Sequence, residues 1–564
     1  PFYWIAAPLL RRARAITTAD FFLIRFGPAT AFLYSVYGIA ISVVLMASIL
    51  FSSGRLLNSL SGELPQQVAQ KLDRSLPVIN AGVAVQTPSV DRPPLISWKR
   101  ISGVHLVVIG LALITVLCGT IGGLGSSILT DAVQGIMVIL MTLLLLPIVF
   151  SQIGGVGVLH ESAWLKQGMF DFVASTGAAG VAQREPFTPF YLLMLSIAAI
   201  SGIIVQPQII KICGAGRSEM EARVGFTFGS LMKRLMAVAW TLIGLGLIVW
   251  YLGPQSPLKT SNPDTFADLR AAANPDLQKL TAEEVDRLDL FDARFADTVF
   301  ADAAAALLPR IAPGLVGLLM ATIVAAVVAH CGTQMSSASG LFTLNLYQHH
   351  LAPDRSPQHY AWVGRIAGLG IVALAVILQT GFEDVVDALK LIIKTPAAIG
   401  ISMWLGLVWP RWNTAATWTT TLFATGTWIL VAFFPAEVQK TLPALKDLMF
   451  REAGGQLVMI DAWQIALYLS VGLGSGLIAA LMTDPEPADR MDHFYSLLRT
   501  PVYPDEPTDI PCAVPAESTE PEPALIFGPL QLPMPTRAGI IGFIAAWGVV
   551  VLLIVGTKIL SLVL

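Results

Sequence analysis

The sequence predicts an all-α polytopic membrane protein, and three observations carry that reading. Only 13% of the 564 residues are charged and 55% are hydrophobic, against roughly 25% charged in soluble domains. With a mean hydropathy of +0.68, such a chain has too few polar groups to cover a water-facing surface. The apolar residues gather into runs of about 20, the length that crosses a hydrocarbon core as a helix. Those runs lack the strict alternation of a membrane barrel strand. A soluble α/β enzyme is excluded on these grounds. The net charge of −3 and the lack of a basic cluster point away from nucleic acid. Cys118, Cys213, Cys331 and Cys512 lie far apart, with no CxxC pair and no disulfide framework.

Taken in order, the chain opens inside an apolar run, PFYWIAAPLL, read as the tail of a helix whose start lies before residue 1; no signal peptide is visible. Eleven further runs are expected to span the membrane, near 29–53, 102–121, 126–150, 189–212, 229–252, 312–334, 361–380, 386–409, 414–434, 462–482 and 538–562. Small residues recur in several of them, as in GIIGFIAAWG and AAISGII, and let membrane helices approach closely. Polar stretches at 54–101, 253–311 and 484–536 separate the runs. The second holds TAEEVDRLDLFDARFADTVFADAAAALL, which reads as a surface helix. The third is rich in Pro and Glu and reads as a linker or extended loop. Residues 1–434 are expected to form a core and 435–564 a set of C-terminal helices around that loop.

Short loops set orientation, because Lys and Arg concentrate on the cytoplasmic side. The loop at 11–28 carries Arg11, Arg12, Arg14 and Arg25, the loop at 213–228 carries Arg217 and Arg223, and the turn at 410–413 carries Arg411. Helix counting puts all three on one side, taken as cytoplasmic; 54–101 and 253–311 then lie outside.

Several polar residues interrupt the apolar runs. The stretch IVAAVVAHCGTQMSSASGLFTLNLY, 323–347, places His330 inside a membrane helix. Such a histidine is costly and faces a polar cavity when it is functional; the alternative is a neutral histidine hydrogen-bonded between helices. Ser336, Ser337 and Ser339 read as packing residues. Gln206-Pro207-Gln208 stand near the end of another run. Proline breaks or kinks the helix there, and polar residues at a break mark a binding site unless they belong to a simple kink. Lys394 lies roughly 13 Å along the 386–409 helix. It serves either an anionic solute group or a partner acid elsewhere, while Asp387 can pair with Lys390. The motif SEME, Ser218 to Glu221, reads as a capping box. No GxxxxGK[ST] or HExxH is present, so nothing suggests ATP-driven transport or membrane proteolysis, and no enzyme is expected.

Five stretches in order resemble the solute:sodium symporter family: RRARAITTADFFLIRFGP, GTIGGLGSSILTDAVQGIMV, QPQIIKICGAGRSEMEAR, SASGLFTLNLYQHHLAPD with WVGRIAGLGI, and LGLVWPRWNTAA. The resemblance implies a leucine-transporter-like bundle of two inverted five-helix repeats with extra C-terminal helices, and ligand sites at broken helices near the midplane. It makes residues 1–10 the end of the second core helix, with the first lying outside this sequence. Beside it, the proline break and the charge deep in an apolar run make Gln206, Gln208 and Lys394 the candidate solute contacts. The resemblance places an ion site where the family has two hydroxyl residues and this chain has Ala329-His330. Alanine offers no side-chain oxygen there, so only carbonyls such as that of Ala326 are left, and sodium coupling through these side chains is not expected. Asp131 falls on the implied ion-release path, or is a carboxylate favoured by a helix N-terminus.

The expectation is a multi-pass symporter of the cell (inner) membrane that moves a small polar solute by alternating access. It needs no cofactor, has Na+ or H+ as coupling ion, and has the solute and the lipid bilayer as partners. The alternative is a transporter-like sensor that no longer couples to sodium. An impermeant thiol reagent added outside intact cells should leave cysteines introduced at 11–28 or 213–228 unlabelled; labelling there reverses the orientation.

Overall fold

The computed structural model describes residues 2–62, 64–79, 96–165, 188–216, 218–254, 256–273, 295–382, 384–453, 456–503, 506, 511–515, 518 and 520–563. Among them, nine helices are long and apolar enough to cross a membrane, and two further helix pairs qualify as bent spans. The chain enters through π-helical turns at Phe2–Ala6 into α1 (Ala7–Arg12). In α2 (Thr18–Phe26) the start is fixed by a reciprocal cap: Thr17 Oγ1 accepts from the Asp20 N–H, and Asp20 Oδ2 accepts from the Thr17 N–H at 2.8 Å. Gly27, at φ +101°, turns the chain into α3 (Pro28–Leu60), where Pro28 occupies a first-turn position that needs no N–H. Then come α4 (Leu64–Leu72), the hairpin β1 (Ser75–Ile79) with β2 (Ile96–Arg100), and α5 (Gly103–Ile153).

The backbone of α5 is helical over 51 residues, about 76 Å if straight and more than twice a bilayer core of ~30 Å. Its contacts show two passes. A Cβ at Gly103 would meet Asn58 near the end of α3, and one at Gly119 would meet Met335. Yet Leu145 and Val149 pack again with Leu60 and Leu308. The chain therefore leaves one end of the bundle and returns to it, and 103–120 and 130–153 are each long and apolar enough to cross a membrane, in keeping with the two separate runs.

The remaining helices are α6 (Pro189–Ile203), α7 (Pro207–Ala215), α8 (Glu219–Leu252), α9 (Leu315–Gly340), α10 (Pro357–Leu378), α11 (Val385–Val408), α12 (Thr414–Phe433), α13 (Asp461–Met482), α14 (Ala488–Arg499) and α15 (Arg537–Val563). α9 continues as π-helical backbone over Leu341–Leu351. Ser218 caps α8 by accepting from the Glu221 N–H. Of the surface helix expected at 281–308, residues 281–294 lie outside the described residues. The rest forms Val299–Leu307 and is no surface helix. Ala301, Ala303, Ala304 and Leu307 are fully buried, because a run of alanines packs closely on Leu60, Leu145 and Leu319.

Polar contacts gather at each end of the bundle. At one end Arg11 Nε donates to the Gly216 carbonyl at 3.0 Å, and Arg12 binds Glu219 and Glu522, both at 2.7 Å. Arg25 donates to the carbonyls of Gly406, Trp409, Pro410 and Trp412 at 2.8–3.3 Å. The three arginine-bearing loops expected on one side thus converge. At the other end Arg55 pairs with Asp297 at 2.7 Å and Ser59 binds Asp302, which joins 54–101 to 253–311.

The segment 484–536 differs from the linker expected of it. Its amphipathic α14 buries Phe494, Leu497 and Leu498 and sets Phe494 edge-on to Phe21 of α2, ring centroids 5.4 Å apart. Further on, Glu506 pairs with Arg14 and the Cys512 N–H donates to the Arg14 carbonyl at 3.0 Å. Its Pro and Glu residues bind the arginines as a packed strap. Burial pushes the Cys512 thiol up to about 12, which suppresses the reactive thiolate at neutral pH. Glu506→Gln leaves Arg14 buried without its charge partner and should free the strap. Cys512, returned toward an ordinary thiol pKa near 8.5, should then alkylate roughly tenfold faster or more at pH 8. Unchanged alkylation would show that the ion pair does not hold the strap.

Candidate functional site

α6 and α7 are two halves of one membrane crossing, bent by 60° at residues 204–206. The cause is local. Pro207 brings no N–H to the ladder, and Gln206 before it is extended, at φ −66° and ψ 129°. A break inside a membrane frees backbone groups that lipid cannot satisfy, so other elements must reach them. Tyr34 of α3 donates its hydroxyl to the Val205 carbonyl at 2.6 Å. Trp404 of α11 donates to the Ile200 carbonyl at 2.9 Å.

α11 itself comes in as close as backbone permits. A Cβ on Gly400 would lie 1.9 Å from the Ser201 carbonyl oxygen, and one on Gly202 would lie 2.9 Å from Pro396. At the break Gln206 Oε1 accepts from Gln208 Nε2 at 2.8 Å. Gln208 is buried and its own Oε1 meets no hydrogen-bond donor among the described residues. Tyr37, one turn beyond Tyr34, donates to the Thr395 carbonyl at 3.0 Å beside Pro396, the proline inside α11.

Lys394, grouped with these glutamines by sequence, is engaged elsewhere. Its ammonium pairs with Asp461 at the start of α13 and donates to Gln464 Oε1 at 3.0 Å. Lys390 binds the other Asp461 oxygen at 2.8 Å. The expected partner of Lys390, Asp387, has a side chain outside the described residues.

The implied ion positions lie on α9. Ala329 is buried, Ala326 half-buried and His330 exposed on the helix surface. The Ala329 carbonyl accepts from Thr333 Oγ1 at 3.0 Å. Asp131, in the second pass of α5, lies within electrostatic range of His330. Two residues about 200 positions apart in sequence thus share one neighbourhood. Among the described residues no three His, Cys, Asp or Glu side chains converge to hold a metal.

Tyr34, Tyr37, Trp404 and Gly400 were not legible as site residues. In sequence the aromatics are ordinary core residues of apolar helices, and Gly400 is one glycine among 47. The one available signal was Pro207: a break creates orphan carbonyls, and hydroxyl or indole donors must come from somewhere.

A profile of the sodium:solute symporter family matches residues 100–422, more than half of the chain. The chain belongs to the sodium:solute symporter family. Sodium/myo-inositol cotransporter 2 of Rattus norvegicus is 26% identical over 285 residues, covering 48% of this chain and 38% of that protein. The sodium/glucose cotransporter of Vibrio parahaemolyticus is 22% identical over 333 residues, 56% of this chain and 55% of that one. The chain therefore spans from under two-fifths to just over half of these symporter relatives. A solved structure of a Na+-coupled sialic acid symporter, substrate-bound and outward-open, superposes with a TM-score of 0.52 at 14% identity over 86% of this chain and 81% of that one. That likeness establishes the fold as a multi-pass, leucine-transporter-like helix bundle.

The Gly400–Ser201 contact can be tested by overpacking. Gly400→Ala should lower stability by about 1–3 kcal/mol, read as a lower Tm in detergent. Gly370→Ala, where nothing lies within 4 Å, should not lower it.

Proposed function

We propose that this symporter-family protein is a secondary transporter of a cell (inner) membrane, moving a small polar solute by alternating access. The observation that supports it most is the bent crossing of α6 and α7 with an unpaired acceptor at the break. A buried amide oxygen without a donor costs about 1–3 kcal/mol, and a hydroxyl or amine on a bound solute would recover it. Gln206 and Gln208 are the solute contacts in this reading. Tyr34, Trp404 and Gly400 hold the break in shape. Lys394 acts through α13, since Asp461 and Gln464 already occupy its ammonium, and it fixes the back of α11.

The coupling ion follows from α9. Relatives are named as sodium cotransporters, but Ala329 and His330 give no hydroxyl ligand, and the Ala329 carbonyl is held by Thr333. Histidine is the side chain that ordinarily changes charge between pH 5 and 8. We assign His330, opposite Asp131, the place of the ion, so that transport follows a proton gradient. The competing readings are sodium held by carbonyls such as that of Ala326, and a sensor that binds solute without moving it. The Ala329-His330 pair favours the sensor to the extent that it removes an ion site.

Uptake of myo-inositol, glucose and sialic acid, the solutes named for the relatives, should be measured in proteoliposomes under a sodium gradient and, separately, a pH gradient. Proton-driven uptake whose pH dependence is flattened by His330→Gln is the expected result. Sodium-driven uptake that survives His330→Ala defeats the coupling assignment. Binding without uptake under either gradient favours the sensor.

A further inference from the structure

Lys211 takes no part in the contacts described so far, although it stands on α7 three residues beyond Gln208, its neighbour on the helix surface. Its ammonium crosses to α9 and donates to the Ser336 carbonyl at 3.3 Å, an acceptor it shares with Ser339 Oγ, also at 3.3 Å. Gly340 leaves room for it, since a Cβ built there would lie 3.9 Å from Lys211 Nζ. Ala329, Thr333, Ser336 and Gly340 follow one another at helical spacing along α9. Lys211 therefore meets α9 on the face that carries the implied ion position.

The contact lies deep in the bundle. Leu341, next to Gly340, packs on Gly38, where a Cβ would lie 2.9 Å from Leu341 Cδ1. Gly38 is about 15 Å along α3 from its start at Pro28 beside the arginine loops, half of a hydrocarbon core of ~30 Å. A lysine near a membrane surface turns its charge outward to water; Lys211 reaches to mid-depth. The deep lysines Lys390 and Lys394 share Asp461. Among the described residues Lys211 has no carboxylate within ion-pair distance, and one carbonyl occupies only one of its three N–H donors. A charge left in this state inside a membrane is costly and marks a solute or ion path. It is also accessible: Lys211 is half-buried and Ser336 exposed.

We propose that the solute taken at the α6–α7 break is a carboxylate, its carboxyl group resting on Lys211 while Gln208 Oε1 accepts from a hydroxyl or amine of the same molecule. This deepens the reading of the break as the solute site and rests on it. Residues three apart on a helix have Cβ atoms ~5–6 Å apart, so one small molecule bridges an ammonium that wants an anion and an amide oxygen that wants a donor. A neutral polyol would serve Gln208 and leave the ammonium unpaired. A cationic solute would meet repulsion.

The test is a thermal-shift titration of the full chain in detergent with pairs that differ by one carboxylate: glucuronate against glucose, sialic acid against its methyl ester, and glutamate against glutamine. Uptake of the same compounds in proteoliposomes follows. In at least one pair the carboxylate should bind roughly tenfold or more tightly than its neutral partner. Lys211→Gln should erase that preference, weakening the carboxylate by roughly tenfold or more, as removal of one member of a hydrogen-bonded charge pair does. Lys211→Arg should keep it. Gln208→Glu leaves Lys211 in place but gives it a carboxylate within its own helix, and should also erase the preference. Neutral members that bind as tightly as the acids, no binding by any of the three acids, or a preference that survives Lys211→Gln would each overturn the proposal. Carboxylate binding without uptake under either gradient sinks the transport reading alone. Uptake of glucose that exceeds that of glucuronate and is indifferent to Lys211→Gln sinks this proposal alone.

Discussion

A backbone polar group inside a bilayer has no water to turn to, and this constraint explains most of what holds the bundle together. At several breaks and helix ends another element supplies a donor. Tyr34 meets the Val205 carbonyl at the α6–α7 break, Tyr37 meets Thr395 beside Pro396, and Trp404 meets Ile200. Arg25 does the same on a larger scale, serving four carbonyls at and beyond the end of α11, where helix carbonyls lack intrahelical partners and a cation is favoured by the dipole. Its guanidinium also lies 4.6 Å from the Phe26 ring centroid. A lysine could not make this set of contacts, because the planar fork is what reaches several acceptors at once.

That cross-linking has a consequence for movement. Arg12 is held by Glu219 at the head of α8 and by Glu522 of the C-terminal strap, while α14 of the same strap packs on α2. Thr414 at the start of α12 is bound by Glu486 at 2.7 Å. One segment therefore ties α1, α2, α8 and α12 at the same end of the molecule. Any motion that separates α1 and α8 from α12 at that end must break or stretch ion pairs that are largely buried, and breaking one side of such a pair is costly. At the opposite end, among the described residues, Arg55 pairs with Asp297, Ser59 binds Asp302, and the Val385 N–H at the start of α11 donates to Asp297.

The helical bundle was legible from hydropathy because membrane thickness imposes run length, and the break at Pro207 was legible because glutamines flank the proline there, whereas Pro147 and Pro396 stay inside continuous helices. The grouping of arginine loops followed from charge asymmetry. What could not be read was which distant donor serves which freed carbonyl: nothing local marks Tyr34 or Trp404 apart from other aromatics. The strap was misread for a related reason. Pro- and Glu-rich composition resembles a linker, but the arginines that order it lie some 490 positions earlier in the chain. For Lys394 the sequence left open a solute group or a partner acid elsewhere; that the acid is Asp461 was not legible, because nothing local names the helix opposite and α13 comes after the core.

The two intramembrane charge clusters show how energetics separates support from function. Lys390 and Lys394 share Asp461, with Gln464 as a further acceptor. A well-paired charge with a second polar partner has little to gain from a solute, and removing any member would strand the others. His330 and Asp131 are different: they interact only at electrostatic range, and His330 faces open space on α9. Gln208 follows the same logic with a neutral group, holding one bond to Gln206 and leaving one acceptor unused. Gln208 is not alone in this: Gln334 Oε1, Ser337 Oγ and Ser402 Oγ are also buried without a hydrogen-bond partner among the described residues, so it is the place of Gln208 at a helix break, and not the open acceptor by itself, that sets it apart.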